Sequence, residues 1–453
     1  MAQPSEADNV TVAQAAAQAW LAIVDAGRYG ESWDQAASGF KSGVTKERWE
    51  GMAGPVRKPL GAVKSRTVKS AKYSRTLPNA PPGEYVLIVY DSSFDGLPAA
   101  NETVAMTRDK DGKWRAGGYY IRPAPPGPSG AITDEKLREA LKQRIDVAGS
   151  GVGIVVGIID EKGQRVIAYG KPARESAQSV DGDTVFEIGS ITKVFTGLIL
   201  ADMIERGEVA LDDPVSRYLP ASVKVPRNDA GEITLRQLAT HTSGLPRMPN
   251  NFSPADANNP YADYTAERMY AFLASYDASK NMPFREYSNL GFGLLGVALA
   301  RRAGTDYETL LRTRVLEPLG MKDTAIHLTG RMLDHRASGY REDLQSGSAW
   351  DFDAFAGAGA IRSTINDMLK FAAAELGLTH TPLDAAIRAS QRPAGGLGKQ
   401  GIAWVIQDDG RLTHDGMTGA FASEIALNLK SKKGVVTLSN TASPTNLALV
   451  ASY

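Results

Sequence analysis

No cysteine occurs anywhere in the 453 residues. That one absence removes disulfides, thiolate zinc sites, iron–sulfur clusters and a cysteine nucleophile together. It leaves the compartment open, because periplasmic proteins also go without cysteine. Histidine is scarce: the five residues stand at 241, 327, 335, 380 and 414, and none forms an H-E-x-x-H pair. Zinc-dependent hydrolysis therefore has little support. An excess of either charge is missing as well, since 51 Lys and Arg balance 51 Asp and Glu. A neutral chain has no overall field to hold a nucleic acid or an anionic membrane, and neither is expected as a partner. No apolar run approaches the roughly 20 residues that span a bilayer. The fairly apolar stretch from Val12 to Val24 follows no basic segment and reads as an amphipathic helix, not a signal peptide. The opening Met-Ala-Gln-Pro-Ser reads as what remains when a signal has been removed and a start Met supplied, so a periplasmic or secreted location is expected. No metal or cofactor is expected.

What is present describes an ordinary soluble protein, 43% hydrophobic and 23% charged, long enough for two or more domains. The segment from Arg122 to Gly130 holds four prolines and two glycines in nine residues. Too few backbone donors remain there for a regular element, so it reads as an extended linker. The expected division is a small domain over 1–121, a linker over 122–131 and a larger domain over 132–453.

In the first domain, residues 9–60 read as helical because Val10, Ala13, Ala17, Trp20, Leu21 and Val24 recur at helical spacing. Strand-like runs follow at Ala62–Leu77, Glu84–Tyr90 and Glu102–Ile121, the last broken by a turn at Asp109–Gly112. This predicts a small α+β domain with a curved antiparallel sheet and no catalytic constellation. After the linker, Asp134–Ile145 reads as a helix and Gly151–Tyr169 as a hairpin turning at Asp160–Gly163. Helices and long loops fill the middle, and strand character returns at Gly401–Gln407, Ala420–Leu429 and Gly434–Leu438. Strands from both ends of one domain predict a single antiparallel sheet flanked by helices, with a mainly helical region beside it. A cleft between the two is a natural site.

The chemistry starts at Phe186-Glu-Ile-Gly-Ser-Ile-Thr-Lys-Val-Phe195. Ser190 and Lys193 lie three apart, close to one helical turn, so hydroxyl and amine share a face. A Ser hydroxyl is a weak nucleophile until a base takes its proton. An amine in a desolvated cleft loses basicity from its reference near ~10.4 and can assist that transfer. A second S-x-x-K, Ser38-Gly-Phe-Lys41, is set aside as chance. Tyr287-Ser-Asn289 is the only Y-x-N. Beside an ammonium the Tyr287 anion is favoured, which makes it a candidate general base, and the Asn289 amide offers both a donor and an acceptor to an acyl side chain. The third piece is His414-Asp-Gly-Met417 on an expected strand, where Gly416 removes a side chain so that substrate backbone can approach, and the Met417 N–H is a candidate oxyanion donor.

The ordered set S-x-x-K, Y-x-N, H-x-G resembles the serine β-lactamase and penicillin-binding protein family, in the branch with class C β-lactamases, DD-carboxypeptidases, D-aminopeptidases and family VIII carboxylesterases. Asp183–Gly189, Leu238-Ala-Thr-His-Thr-Ser-Gly-Leu-Pro246, Leu316–Met321 and Gly357–Ser363 agree with it, and the likeness runs over about 133–450. The first domain resembles a cystatin-like domain of unknown function found in secreted bacterial proteins. The family likeness implies a β-lactamase/transpeptidase-like fold and an acyl-enzyme on Ser190. Lys193 and Tyr287 would share the proton traffic, the Ser190 and Met417 N–H groups would form the oxyanion hole, and Tyr287 would activate the deacylating water. It gives Asn289, His414, Gly416 and Met417 to substrate binding, and His241, Ser243 and Gly244 to structure. Class C enzymes carry Lys-Thr-Gly where this chain has His-Asp-Gly. A histidine with reference pKa near ~6.5 is mostly neutral at pH 7, and Asp415 adds negative charge. The expected substrates are therefore small esters first, D-amino-acid peptides second and β-lactams third. A cell-wall-binding protein with a slow hydrolase domain is the non-enzymatic alternative. The family usually continues past the last strand into a helix, of which Thr445–Tyr453 would be the first part.

Overall fold

The computed structural model describes residues 6–75, 83–123, 133–228, 231–277, 286–395 and 400–445. Most of the expected linker, and the expected terminal helix beyond Thr445, lie outside the described residues. The chain divides into two compact units, Met1–Ser129 and Gly130–Tyr453.

The first unit opens with helices α1 (Glu6–Asp25), α2 (Tyr29–Asp34), α3 (Ser38–Gly43) and α4 (Lys46–Arg57). A four-stranded antiparallel meander follows: β1 (Val63–Ser74), β2 (Tyr85–Phe94), β3 (Ala100–Arg108) and β4 (Trp114–Pro123). The turn at Asp109–Gly112 splits the expected third run into β3 and β4. It is closed by the Gly112 N–H donating to the Asp109 carbonyl at 2.8 Å. The apolar stripe of α1, with Ala13, Ala17, Trp20, Leu21 and Val24, buries against Val86, Ile88, Val104 and Met106 of the sheet. Each large side chain removed from water this way contributes about 2 kcal/mol. The fully buried Glu102 carboxylate accepts from Arg66, Ser92 and Tyr119, so its charge is satisfied where water is excluded. Ser38 and Lys41 do not pair. Ser38 Oγ donates to Asp109 at 2.5 Å, while Lys41 Nζ donates to the Asp34 carbonyl at 3.1 Å.

The second unit begins with α5 (Asp134–Lys142), capped by the Thr133 side chain, then the hairpin β5 (Gly153–Asp160) and β6 (Gly163–Gly170). Next come β7 (Val185–Glu187), α6 (Thr192–Glu205), the two-residue ladder β8 (Arg227–Asn228) with β9 (Gly231–Glu232), α7 (Leu235–Ala239), α8 (Ala266–Ser275) and α9 (Asn289–Ala303). Short α10 (Tyr307–Leu311), α11 (Arg331–Asp334) and α12 (Ala356–Gly359) alternate with the ladder β10 (Gly339–Tyr340) and β11 (Ser346–Gly347). They lead to β12 (Arg362–Thr364), α13 (Ile365–Glu375) and α14 (Asp384–Ser390). The chain then returns to the sheet as β13 (Val405–Ile406), β14 (Leu412–Met417), β15 (Ala422–Asn428) and β16 (Lys433–Ser439).

The sheet order is β13-β14-β15-β16-β5-β6, antiparallel throughout, so strands from the two ends of the unit meet where β16 pairs β5. Its two faces explain the apolar run in β5. Ile154, Val156 and Ile158 face α5 through Leu137 and Leu141, whereas Val155 and Ile159 join the core that holds α6, α9 and α13. Helix α6 is buried on all sides from Thr192 to Met203, in keeping with its mostly apolar sequence, and the polar Thr192, Lys193, Thr196 and Asp202 are buried with it. One strand expectation is corrected. Of Gly401–Gln407 only Val405–Ile406 is strand. Ile402, Ala403 and Trp404 are buried as a loop, with the Ile402 N–H on Ser390 and the Ala403 N–H on Ala239. An apolar run this short reports burial, not strand geometry.

Candidate active site

Ser190 stands in a single 3-10 turn, Gly189–Ile191, that opens α6. The turn is gripped from three directions. The Ile188 N–H donates to Ile361 at 3.0 Å, the Ser423 hydroxyl donates to the Ile188 carbonyl at 2.8 Å, and the Ile361 N–H donates to Thr192 at 3.1 Å. Gly189 takes φ 48°, and a Cβ there would lie 2.8 Å from the Met417 nitrogen. Glycine is thus required both by conformation and by the approach of β14. That approach brings the Met417 backbone N–H to the nucleophile turn.

Lys193 is fully buried, with Nζ 3.0 Å from Ser190 Oγ and donating to the Ala358 carbonyl at 2.7 Å. It also lies over the rings of Tyr287, at 4.9 Å, and Phe292, at 5.8 Å. Loss of water holds its pKa well below the ordinary lysine value, and the nearby Arg247 cation pushes the same way against Asp415. Burial thus disfavours the Lys193 ammonium and favours its loss of a proton beside the Ser190 hydroxyl.

Tyr287 comes to Ser190 from the other side, through a loop held by the Thr-Ser-Gly segment. Ser288 caps α9, its backbone N–H donates to His241 Nδ1 at 3.0 Å and its hydroxyl to the Pro246 carbonyl at 2.7 Å. The Asn289 N–H donates to the Arg247 carbonyl at 3.1 Å. His241 itself sits at φ 60°, with its ring 4.5 Å from that of Tyr287. Such a conformation in a non-glycine residue persists only where its surroundings enforce it. The expectation of a favoured Tyr287 anion is overturned. Burial pushes the phenol up to about 12, outweighing a hydrogen bond with Ser190 and the Arg247 charge. The anion was expected from an adjacent ammonium, but the same burial also disfavours the charged form of Lys193.

Asn289 is the first residue of α9. Its Nδ2 faces Met248 Sδ at 3.8 Å, and its buried Oδ1 has no partner among the described residues. His414 lies in β14, buried rather than at a turn or on the surface, with Nδ1 2.7 Å from the Asp415 carbonyl. The role expected for Gly416 is corrected. A Cβ there would meet the Ile188 carbonyl at 2.1 Å and Ser423 Oγ at 2.4 Å. The missing side chain makes room for the protein's own nucleophile turn, not for a substrate. Met417 is 45% exposed and lines the same small hollow as Ser190 and Asn289, about 20 Å³ in volume.

Sequence reasoning missed the aromatic wall of that hollow. Tyr261 and Phe352 stack at 4.8 Å, and Trp350 packs on Tyr261 at 5.2 Å. Trp350 is pinned by its N–H donating to Glu187 at 2.8 Å and by Arg362 donating to its carbonyl at 2.7 Å. Arg247 was missed too, although its guanidinium carbon sits 5.0 Å from the Tyr287 ring centroid. Two larger hollows, of about 460 and 330 Å³, are lined by other residues and hold none of the candidate groups.

The profile described as "Beta-lactamase" matches residues 136–452. The chain belongs to the beta-lactamase family. Residues 16–119 match a second profile, "Protein of unknown function (DUF4019)". Among beta-lactamase relatives, the D-alanyl-D-alanine-carboxypeptidase/endopeptidase AmpH of Escherichia coli strain K12 is 36% identical over 180 residues. That match covers 39% of this chain and 46% of AmpH, so the chain spans about half the length of this relative. A beta-lactamase of the same strain is 29% identical over 294 residues, covering 62% of this chain and 73% of the relative. A class C beta-lactamase from Rhodobacter sphaeroides superposes with a TM-score of 0.59 at 27% identity, over 71% of this chain and 97% of that one. A beta-lactamase/D-alanine carboxypeptidase from Yersinia pestis, complexed with citrate, gives 0.60 at 26% identity, over 70% and 97%. The catalytic unit thus has the beta-lactamase/transpeptidase fold, and the chain is a member of this serine hydrolase family preceded by a separate small domain with its own sheet. Among the described residues no helix is long and apolar enough to cross a membrane.

Proposed function

We propose that the protein hydrolyses acyl substrates through an acyl-enzyme on Ser190, and that peptides ending in D-amino acids fit its site best. The observation that carries the reaction is the fully buried Lys193 amine 3.0 Å from Ser190 Oγ. In this reading Lys193 takes the Ser190 proton as Oγ bonds to the substrate carbonyl carbon. The oxyanion is held by the backbone N–H groups of Ser190 and Met417. Tyr287, a neutral phenol, donates its proton to the leaving group as the scissile bond breaks and regains one from the Lys193 ammonium. Water then attacks the ester, its proton passes to Lys193, and that proton returns to Ser190 Oγ as the acid leaves.

The peptide preference rests on Asn289, which lines the hollow and whose buried Oδ1 has no partner among the described residues; that oxygen suits an amide N–H on the acyl side. The name of the AmpH relative is consistent with it. Carboxylic esters remain the second reading, favoured by the His-Asp-Gly triplet, which supplies no permanent cation for a leaving-group carboxylate. β-Lactams rank third. A periplasmic or secreted location fits a cell-wall peptide substrate.

Native protein and Ser190→Ala are to be treated with a fluorescent penicillin and a fluorophosphonate. Catalytic efficiencies are then compared on a D-Ala-D-Ala peptide, short and long p-nitrophenyl esters, and nitrocefin. Labelling is expected to disappear with the hydroxyl, and the peptide to be the best substrate. Labelling that survives in Ser190→Ala removes the reaction, and a dominant ester rate reverses the substrate order.

A further inference from the structure

The cleft around Ser190 is electrically lopsided. On the sheet side, Asp415 of β14 is exposed and bears on both Lys193 and Tyr287. On the helical side, Arg247 bears on the same two groups with the opposite sign. The backbone of Arg247 is built into the site: its carbonyl accepts the Asn289 and Leu290 N–H groups, and its N–H donates to the Glu286 carboxylate at 3.0 Å. Its guanidinium, by contrast, makes no ion pair among the described residues; it lies across the Tyr287 ring and also bears on Tyr261. The residue is exposed, and it stands where the fifteen-residue helix α9 begins, the end that carries partial positive charge. The strand triplet His-Asp-Gly offers no permanent cation. A carboxylate on the substrate is thus repelled at β14 and attracted at the start of α9.

We infer that Arg247 is a specificity-determining residue that binds a carboxylate on the acyl portion of the substrate, beside Asn289, so that anionic acyl groups are preferred over neutral ones of equal length. Planar guanidinium geometry suits such a partner. This inference rests on the proposed acyl-enzyme at Ser190. Because Arg247 also acts on Lys193, its removal alters the reactivity of Ser190 toward every reagent. The informative quantity is therefore a ratio.

The test uses the full chain and two alkyl fluorophosphonates of equal chain length, one ending in a methyl group and one in a carboxylate. The second-order rate of Ser190 modification is followed by intact mass. The native protein is expected to react faster with the carboxylate reagent by about 5-fold or more, the scale of an exposed ion pair. Arg247→Gln brings the ratio to about one, and Arg247→Lys keeps most of it. A native ratio of one or below, or a preference that persists in Arg247→Gln, overturns the assignment and leaves the Ser190 reading in place. No modification of the native protein by either reagent overturns the acyl-enzyme reading, and this assignment with it.

Discussion

At the residue scale, the site depends on two proton-carrying groups that burial shifts in opposite directions. Burial lowers the pKa of Lys193 and raises that of Tyr287, so both are pushed toward their neutral forms around one hydroxyl. In the proposed mechanism, acylation requires the uncharged amine. The kcat/KM profile is therefore expected to rise with pH as Lys193 deprotonates, well below the ordinary lysine range, and then to stay level. With Tyr287 near 12, no falling limb from it is expected below about pH 11. Tyr287→Phe should lower kcat/KM by about 10²-fold and leave the rising limb where it was. An alkaline limb that vanishes in this variant would show that the phenol titrates in the working range. The structure brings Ser190, Lys193 and Tyr287 together, and in the sequence they stood out only as a combination of motifs that resembles the family. The lowered Lys193 was expected from a desolvated cleft, whereas the raised Tyr287 was not, because the burial of a phenol has no signature in a three-residue motif. Arg247 was illegible for a related reason: a single arginine after Pro246 belongs to no pattern until the fold sets it against Tyr287.

At the scale of elements, the sheet and its hairpin were legible wherever alternation and a turn coincided, as at Asp160–Gly163 between β5 and β6. They were not legible where an apolar loop imitates a strand, as at Ile402–Trp404. The contact between α13 and α14 carries a pH-dependent weakness. Glu375, the last residue of α13, is buried and accepts from Gln391 at 2.6 Å, while its other oxygen has no partner among the described residues. Loss of water raises its pKa to about 8, against the opposing effect of the Gln391 bond, from an ordinary value of 4.5. Between those values the unfolded chain releases a proton that the folded one keeps. The contribution is thus full below about 4.5 and lost as pH rises through about 8. Tm measured at pH 5 and pH 8.5 should fall less for Glu375→Gln than for the native protein. An equal fall in both removes Glu375 from this account.

At the scale of the whole molecule, equal numbers of acidic and basic residues leave no net charge near neutrality. Mutual repulsion between molecules is then at its weakest. The second virial coefficient from static light scattering is expected to be lowest near pH 7 and to rise at pH 5 and pH 9. A monotonic trend across that range would mean that local patches, not total charge, govern association. The chain divides between Ser129 and Gly130, at the end of the proline-rich segment.

The nucleophile turn opens α6, its phenol precedes α9 and its second backbone donor closes β14, so no stretch of neighbouring residues can assemble the reactive centre. The amine is basic in the useful way only once rings and backbone have closed over it. The reactivity proposed for Ser190 is consequently a property of the folded unit as a whole and of no single segment of it.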